Sequence, residues 1–433
     1  MQYIIGLDIG TSSVKGVLAR GDGEVVHTAK GIFSYIRKKG GIVELSPEAY
    51  LQVCFDTIRE LASHACDGAV AGICASSASG NLLLLDQNDR PMCNIIGWQD
   101  SRGTTESAEV LACVDTECLY RKAGWPFGGR SFPLAQLCYI KKHTPEQLVN
   151  CAMVCMSTEY LFYTLTGKWG ISASAATPSY LLDQVQGAYI PEVLATLELP
   201  EAKLPPVMAC GSIVGYVTES GAAQCGLPEN TPVILGSFDH PSAARGVDVT
   251  QEGQMLLSCG TSWVAFFPVR DRQKAVDARL LVDPFLSPEG CWGAMTSVAS
   301  LSERLKLYVC RYVDDSQEAF QVMSSLAQQS TPGAGGLQID LLDEPNDAAM
   351  SGFGKAEIAR AIMESAVSLL KIRLDKLAAV GISATEAVMV GGPSEDPYWA
   401  HLIGQACNIS VTTKHQGFAG AVGAAKIAKA AID

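Results

Sequence analysis

Residues 5–15 read Ile5-Gly6-Leu7-Asp8-Ile9-Gly10-Thr11-Ser12-Ser13-Val14-Lys15, and this stretch decides the fold. Its apolar ends predict two strands, and the Gly, Thr and Ser residues between them predict a tight turn. The backbone N–H groups and short hydroxyls of such a turn form a concave set of donors that suits phosphoryl oxygens. Asp8 ends the first strand, where its carboxylate can reach Mg²⁺ or its waters, and Lys15 can add a positive charge.

A similar turn, Gly260-Thr261-Ser262, lies between two apolar runs in the second half of the chain. Two related hairpins, one in each half, would place two sets of backbone N–H groups on opposite sides of a central cleft. A single Gly-Thr-Ser turn is weak evidence because such turns are common. Neither copy matches G-x-x-x-x-G-K-[ST], and no G-x-G-x-x-G follows the first strand, which disfavours P-loop and dinucleotide-binding folds.

The rest of the chain predicts strands that alternate with helices. Ser46-Pro47-Glu48 is a strong helix start, and apolar residues at helical spacing predict a long helix over residues 355–380 that ends at Gly381. This interleaving predicts an α/β architecture. Residues 204–232 are rich in Pro and Gly, so we expect a domain boundary there and predict two domains, 1–230 and 231–433.

Length and composition exclude several classes of protein. The chain has 433 residues, too many for one ordinary domain, and a formal net charge of −13. No basic stripe is visible, which argues against a nucleic-acid partner. No export signal and no apolar run of about 20 residues are present, so we expect no membrane span. Fifteen Cys without a CxxC pair predict reduced thiols in a cytoplasmic protein.

Asp239 is the second notable carboxylate. It follows the apolar run before Gly236 and is itself followed by His240, Pro241 and a predicted helix. The carboxyl end of a strand in an α/β domain is where ligands usually bind. The alternative interpretation is a turn or helix-capping aspartate. His240 has its own alternative, a role in packing or capping.

These segments together resemble the FGGY carbohydrate kinases, the family of xylulokinase, ribulokinase, rhamnulokinase and glycerol kinase. The resemblance covers residues 5–428, with its motifs in family order. Besides the opening stretch, it rests on Gly97-Trp98-Gln99-Asp100-Ser101-Arg102, residues 236–244, Ser258-Cys259-Gly260-Thr261-Ser262, Pro332-Gly333-Ala334-Gly335-Gly336-Leu337, Val390-Gly391-Gly392-Pro393-Ser394 and residues 420–425.

The resemblance implies two actin-like (ribonuclease H-like) α/β domains with a central cleft, sugar bound mainly by the first and ATP mainly by the second. Asp239 would be the general base, and Asp8 and Asp239 would face Mg²⁺. The implied phosphate-binding residues are Thr11, Ser12, Ser13, Lys15, Gly260, Thr261 and Ser262. Gly391, Gly392 and Ser394 would contact the adenosine.

The implied sugar-binding residues are Ser79, Asn81, Trp98, Asp100, Asp239 and His240. Trp98 offers a flat apolar face to sugar C–H groups, although a core tryptophan is the alternative. Xylulokinases have Gln-Met-His where this chain has Ala78-Ser79-Gly80. The segment after Leu337 is also shorter than in the family, which leaves an unusual acceptor or reduced activity open.

The favoured function is therefore the ATP-dependent phosphorylation of a small sugar, with a ketose (a pentulose or deoxy-hexulose) as first choice. A kinase of glycerol, erythritol or a similar polyol is the alternative within the same chemistry. Two other classes stay open: a non-catalytic sensor of sugar or nucleotide on the same fold, and an actin- or chaperone-like ATPase. The sequence leaves the choice between a monomer and a homodimer open.

Overall fold

The computed structural model describes residues 2–65, 69–112, 114–126, 132–414 and 417–433. They form two compact units. The first comprises residues 1–248, 279–292 and 418–433, and the second comprises 249–278 and 293–417. The predicted boundary between residues 230 and 231 precedes a strand of the first unit. A division into a sugar-binding and an ATP-binding domain stays a prediction.

The elements up to residue 248 belong to the first unit. The strands are β1 (Gln2–Ile9), β2 (Ser13–Arg20), β3 (Val25–Ile32), β4 (Ile36–Lys38), β5 (Ile42–Leu45), β6 (Ala69–Ser77), β7 (Leu83–Leu85), β8 (Ile95–Ile96), β9 (Met153–Cys155), β10 (Ile171–Ser172), β11 (Leu182–Asp183), β12 (Ala188–Tyr189), β13 (Val207–Met208), β14 (Ile213–Tyr216) and β15 (Pro232–Phe238). The helices are α1 (Pro47–Ser63), α2 (Thr104–Leu111), α3 (Thr116–Ala123), α4 (Pro133–His143), α5 (Pro145–Asn150), α6 (Ser157–Thr166), α7 (Ala173–Ala176), α8 (Pro191–Leu197), α9 (Glu219–Cys225) and α10 (Asp239–Gly246).

The remaining elements complete both units. The strands are β16 (Gly253–Cys259), β17 (Trp263–Val269), β18 (Leu281–Asp283), β19 (Trp292–Val298), β20 (Ala384–Gly391) and β21 (Ser410–Thr413). The helices are α11 (Arg272–Asp277), α12 (Leu301–Tyr312), α13 (Ala319–Ala327), α14 (Asp347–Met350), α15 (Lys355–Ala379), α16 (Pro397–Cys407) and α17 (Ala419–Ile432). Of these, β18 and α17 belong to the first unit.

Five strands of the main sheet follow the same order in both units: β3-β2-β1-β6-β15 in the first corresponds to β19-β17-β16-β20-β21 in the second. In the first unit the order is β14-β15-β6-β1-β2-β3, with β1 and β2 antiparallel and β1, β6 and β15 parallel. In the second unit the strands run β19-β17-β16-β20-β21, with β16 and β17 antiparallel and β16, β20 and β21 parallel. Each unit thus has an antiparallel hairpin followed by parallel strands, which confirms the two predicted hairpins.

The sheet of the first unit is covered on both faces because the side chains of a strand alternate between them. On one face, Ile5 and Leu7 of β1 lie in a hydrophobic cluster with Ile58 of α1. The predicted N-cap of this helix is present, because the Ser46 hydroxyl accepts a 3.2 Å hydrogen bond from the Ala49 N–H. Ile4 of β1 lies in a second cluster with residues of α17. Residues far apart in the chain therefore complete one core.

The C-terminal helix α17 packs unusually close to β1. A Cβ atom added to Gly6 would lie 2.1 Å from the carbonyl oxygen of Ala421 and 2.5 Å from the backbone nitrogen of Ala425. Real Cβ atoms do not approach backbone so closely, so only glycine fits at position 6. This contact fixes where β1 ends relative to the start of α17.

We expect Gly6→Ala to lower the free energy of unfolding by about 1–3 kcal/mol, because the added methyl group has to push α17 away from the sheet. Gly21→Ala is the matched control, since a Cβ there would meet only the Gln2 carbonyl oxygen, at 3.8 Å. Urea denaturation of both variants measures the difference. Equal stability of the two variants would show that α17 can adjust freely.

Candidate active site

Asp8 and Asp239 lie at the same edge of the first sheet. Asp8 is the penultimate residue of β1, and Asp239 follows β15 and begins α10. Because β1, β6 and β15 run parallel, their carboxyl ends meet at one edge, where ligands of α/β proteins usually bind. The two predicted carboxylates, far apart in the sequence, are therefore brought together.

Asp8 is held in a position that is costly for a charged group. Burial and, to a smaller extent, the charge of Asp239 raise the pKa of Asp8 from its ordinary value of 3.8 to about 7, and the charge of Lys15 opposes this shift. Lys15 lies directly across the β1–β2 ladder from Asp8, so the two side chains share a face of the hairpin. The buried Oδ1 of Asp8 has no hydrogen-bond partner.

This orphaned oxygen fits a bound cation. Two carboxylates that repel each other are stabilised when a divalent ion lies between them and phosphate oxygens. Mg²⁺ commonly uses one or two carboxylates plus waters and phosphates, and not an all-protein cage. Among the described residues, no cluster of three or more His, Cys, Asp or Glu suited to a metal occurs. Asp8 and Asp239 are thus the residues that would hold Mg²⁺.

The three hydroxyl residues of the first turn, Thr11, Ser12 and Ser13, differ in their exposure to solvent. Ser12 is exposed, whereas Ser13 is buried as the first residue of β2. Thr11 accepts a 2.8 Å hydrogen bond at Oγ1 from the indole Nε1 of Trp98. The turn is closed by a 2.9 Å hydrogen bond from the Gly10 N–H to the Ser13 carbonyl oxygen. The predicted phosphate turn and the predicted sugar-binding tryptophan are therefore in direct contact.

His240 accompanies Asp239 at the edge of the sheet. Its Nε2 lies 3.9 Å from Oδ1 of Asp239, and both side chains are about one quarter exposed. The ring of His240 packs edge-on against Phe238 at 5.6 Å between centroids. The two adjacent polar groups can therefore both reach a ligand at this edge.

Trp98 is placed by a buried ion pair. Asp100 is fully buried and accepts hydrogen bonds from the Val43 N–H at 2.8 Å and from the Arg102 guanidinium at 2.8–3.1 Å. Arg102 also donates to Glu44, at 2.8 Å. No part of Asp100 is exposed, so the structure gives this residue the task of holding the loop that carries Trp98, and a direct sugar contact by Asp100 stays a prediction.

Ser79 and Asn81 lie after β6, near the same edge. The Ser79 hydroxyl is buried and lies 3.1 Å from the Ser77 hydroxyl. The Asn81 amide contacts Ser157 twice, donating to its hydroxyl at 3.0 Å and accepting from its backbone N–H at 2.7 Å. Thr11, Asn81 and Trp98 line one pocket. Contact of these polar groups with a sugar stays a prediction.

In the second unit, the turn between β16 and β17 is anchored to the start of α12. The Ser302 hydroxyl donates to the Gly260 carbonyl oxygen at 2.6 Å, and the Ser302 N–H donates to the Thr261 carbonyl oxygen at 3.1 Å. Ser262 accepts a 3.1 Å hydrogen bond from the Ser300 N–H. Gly260 and Thr261 are exposed, so their backbone N–H groups can reach a ligand.

The predicted adenosine motif lies beside this turn. Gly391 pairs with Cys259 across the parallel β16–β20 ladder, so Gly260 and Gly392 follow neighbouring strand ends. Gly391 has φ +97°, and a Cβ there would lie 2.4 Å from the Cys259 carbonyl oxygen. The Ser394 hydroxyl donates to the Gly391 carbonyl oxygen at 2.6 Å. The structure thus groups all the predicted nucleotide-binding residues of the second unit.

Sequence reasoning missed two polar residues behind Asp239. Asp283 is fully buried, and its Oδ2 accepts a 2.7 Å hydrogen bond from the Ser174 hydroxyl. Burial raises the pKa of Asp283 to about 6. The Asp283-Pro284 pair in the sequence signals a turn but carries no indication that it lies near residue 239.

The comparison with known proteins decides the family. Residues 3–246 match the FGGY family of carbohydrate kinases, N-terminal domain, and residues 255–432 match the C-terminal domain of the same family. The chain belongs to the FGGY family of carbohydrate kinases. The predicted resemblance is thereby confirmed, and so is the class of enzyme: a phosphotransferase that acts on an alcohol group of a carbohydrate.

Individual FGGY kinases are similar to this chain over almost its whole length. The xylulose kinase of Staphylococcus xylosus is 24% identical, over 99% of this chain and 90% of the relative. The structure of xylulose kinase from Rhodospirillum rubrum has a TM-score of 0.86 at 24% identity and covers 100% of this chain and 91% of that chain. Gluconate kinase from Lactobacillus acidophilus has a TM-score of 0.88 at 20% identity, with 99% and 89% covered. The predicted α/β, actin-like fold is therefore confirmed.

Among the described residues, no helix has the length and apolar character of a membrane span.

The raised pKa of Asp8 predicts a pH dependence of stability in this FGGY kinase. The folded state keeps the Asp8 proton up to about pH 7, whereas the unfolded chain releases it near 3.8, so Asp8 costs stability as pH rises through this window. In EDTA, Asp8→Asn should therefore raise Tm at pH 8 and raise it less at pH 5.

Thermal melts of wild type and Asp8→Asn at both pH values measure this effect. Asp22→Asn, at an exposed turn residue, is the control and should show no such pH-dependent difference. A Tm difference for Asp8→Asn that is the same at pH 5 and pH 8 would contradict the raised pKa.

Proposed function

We propose that this FGGY kinase transfers the γ-phosphoryl group of ATP to a hydroxyl of a small ketose, such as a pentulose or deoxy-hexulose, with Asp239 as the general base. The proposal rests on one observation: Asp8, Lys15 and Asp239 lie close together at the edge of the first sheet where β1 and β15 end. A carboxylate pair with a lysine beside it suits chemistry on a metal-bound polyphosphate.

The proposed step breaks one bond and forms another. The sugar hydroxyl oxygen attacks the γ-phosphorus as the bond from this phosphorus to the β,γ-bridging oxygen breaks, so that ADP takes the electron pair. The hydroxyl proton passes to the Asp239 carboxylate. Asp239 is about one quarter exposed, which leaves it accessible to a ligand while part of it stays held by the protein. Positioning and charge neutralisation supply most of the acceleration in such transfers.

Each predicted residue has a task in this proposal. Asp8 and Asp239 would hold Mg²⁺, which when bound neutralises the charge on the phosphate oxygens. Lys15 and the N–H groups after Gly10 would contact the phosphates from the first unit. The turn at Gly260 would also contact phosphate, and Gly391, Gly392 and Ser394 would contact the adenosine.

The ring of Trp98 would face the sugar, because its only N–H already bonds to Thr11. By their names, the relatives from Staphylococcus xylosus and Lactobacillus acidophilus act on different substrates, xylulose and gluconate. Together with Ala78-Ser79-Gly80 in place of a xylulokinase Gln-Met-His, this makes the acceptor the part to be found by experiment. A polyol such as glycerol or erythritol is the second candidate. The cytoplasmic location and the absence of a nucleic-acid partner stay predictions, and the choice between a monomer and a homodimer stays open.

The proposal is tested by ADP release with ATP, Mg²⁺ and a panel of ketoses, aldoses and polyols. We expect phosphorylation of a ketose and, with Asp239→Ala, a loss of turnover of at least about 10²-fold while ATP still binds. Asp248→Ala is the matched control, because Asp248 follows the other end of α10 as an exposed carboxylate paired with Lys426. An Asp239→Ala enzyme with wild-type turnover would remove the base assignment. A wild-type protein that binds ligands from the panel but turns none over would support the sensor.

Asp8 is tested by its metal dependence. Asp8→Ala should lower turnover and move the Mg²⁺ midpoint to higher concentration, because one of the two proposed carboxylate partners of the ion is removed. Turnover across a Mg²⁺ titration measures both effects, with Asp22→Ala as the control. If rate and Mg²⁺ midpoint stay unchanged, Asp8 is structural.

A further inference from the structure

The strand that presents Asp239 loses its normal pairing just before this residue. Along β15, the parallel ladder with β6 runs regularly through Leu235 and then shifts register before Phe238. A shift of this kind leaves backbone N–H groups without their ladder partners, and a buried N–H has to find another acceptor. The position of Asp239 therefore depends on whatever replaces the ladder.

Side-chain hydroxyls replace it. The Ser237 N–H donates to the Ser76 hydroxyl at 3.1 Å, and the Phe238 N–H donates to the Ser174 hydroxyl at 3.0 Å. Both serines are 1% exposed, so water cannot replace either hydroxyl without cost. The backbone immediately before Asp239 is thus held by a residue of α7, outside the strand's own sheet.

Asp283 fixes the direction of the Ser174 hydroxyl. An ionised carboxylate can only accept, so Ser174 gives its proton to Oδ2 of Asp283 at 2.7 Å and keeps a lone pair for the Phe238 N–H. The other oxygen, Oδ1, accepts from the Phe285 N–H at 2.7 Å, which anchors the carboxylate to the chain after β18. The hydrogen bonds from Phe238 through Ser174 and from Phe285 therefore converge on the Asp283 carboxylate.

Arg245 closes the arrangement from the other side. It lies on α10, the helix that Asp239 begins, and its guanidinium donates to the Phe285 carbonyl oxygen and lies over the Phe285 ring, 4.6 Å from the centroid. The positive charge of Arg245 favours the negatively charged form of the buried Asp283 and so partly opposes the rise in the Asp283 pKa that burial causes. The helix is therefore tied back to the same turn that holds Asp283.

We propose that Ser174 and Asp283 are a positioning pair that fixes the Phe238 backbone and thereby the direction of the Asp239 carboxylate. Neither residue touches the reacting atoms. The inference rests on the proposed role of Asp239 and adds to it that the geometry of the base depends on a buried hydroxyl–carboxylate pair from α7 and β18.

The test compares Ser174→Ala with Ser172→Ala. Ser172 caps the same short helix by accepting a 3.1 Å hydrogen bond from the Ala175 N–H, and its loss should cost similar stability without releasing Phe238. We expect Ser174→Ala to lower kcat about 10- to 100-fold with little change in KM for ATP, whereas Ser172→Ala keeps the wild-type kcat. Asp283→Asn should also lower kcat, and the double variant with Ser174→Ala should be no worse than the poorer single variant, because the two residues act as one unit.

Crystal structures of wild type and Ser174→Ala give a readout that does not need turnover. We expect the Asp239 carboxylate to be displaced or to adopt several positions in the variant. The inference is overturned if Ser174→Ala loses no more kcat than Ser172→Ala, or if Asp239 keeps its wild-type position. A wild type that phosphorylates no acceptor would defeat the proposed function alone, and the crystallographic comparison would still decide the positioning pair.

Discussion

The close contact between α17 and β1 is the constraint on which the site of the first unit depends. Because Gly6 has no side chain, the backbone of α17 can lie against the strand, and Gly420 then lies so near Asp8 that an added Cβ would be 2.5 Å from Oδ2. The same helix start meets α10, since the Ser242 hydroxyl donates to the Gly420 carbonyl oxygen at 2.8 Å. One helix end therefore sets the positions of both the strand that carries Asp8 and the helix that begins with Asp239.

The proposed function requires a protein with a net charge of −13 to bind a polyphosphate. The overall charge would repel the ligand, so local groups have to supply the attraction. In the proposed function, Lys15 across from Asp8 and the donors of the first turn would be such groups, while burial and the charge of Asp239 make a charged Asp8 energetically costly. A cation held by both carboxylates would lower that cost.

The sequence was sufficient for those parts of the fold and site that rest on local pattern. The turn after Asp8, the strand–Asp239–helix unit and the helix over residues 355–380 (observed as Lys355–Ala379) all follow from residues that are neighbours in the chain. Apolar spacing and glycine positions determine such features directly. What the pattern could not supply was the return of the last residues, 418–433, to the first unit, because α17 reads as an ordinary small-residue helix until its partner surface is known.

The same limit applies to the polar contacts of the site. The motif that contains Asp100 gives no sign that its carboxylate accepts a hydrogen bond from the Val43 N–H, because only the fold brings these two residues near. Ser174 and Asp283 carry no motif at all, since their importance arises from a register shift in β15 that leaves the Phe238 N–H without a strand partner. A buried hydroxyl is informative only when the donor that it satisfies is known. The residues that direct a catalytic group are therefore harder to find from sequence than the group itself, because their selection follows from backbone geometry and not from chemistry visible along the chain.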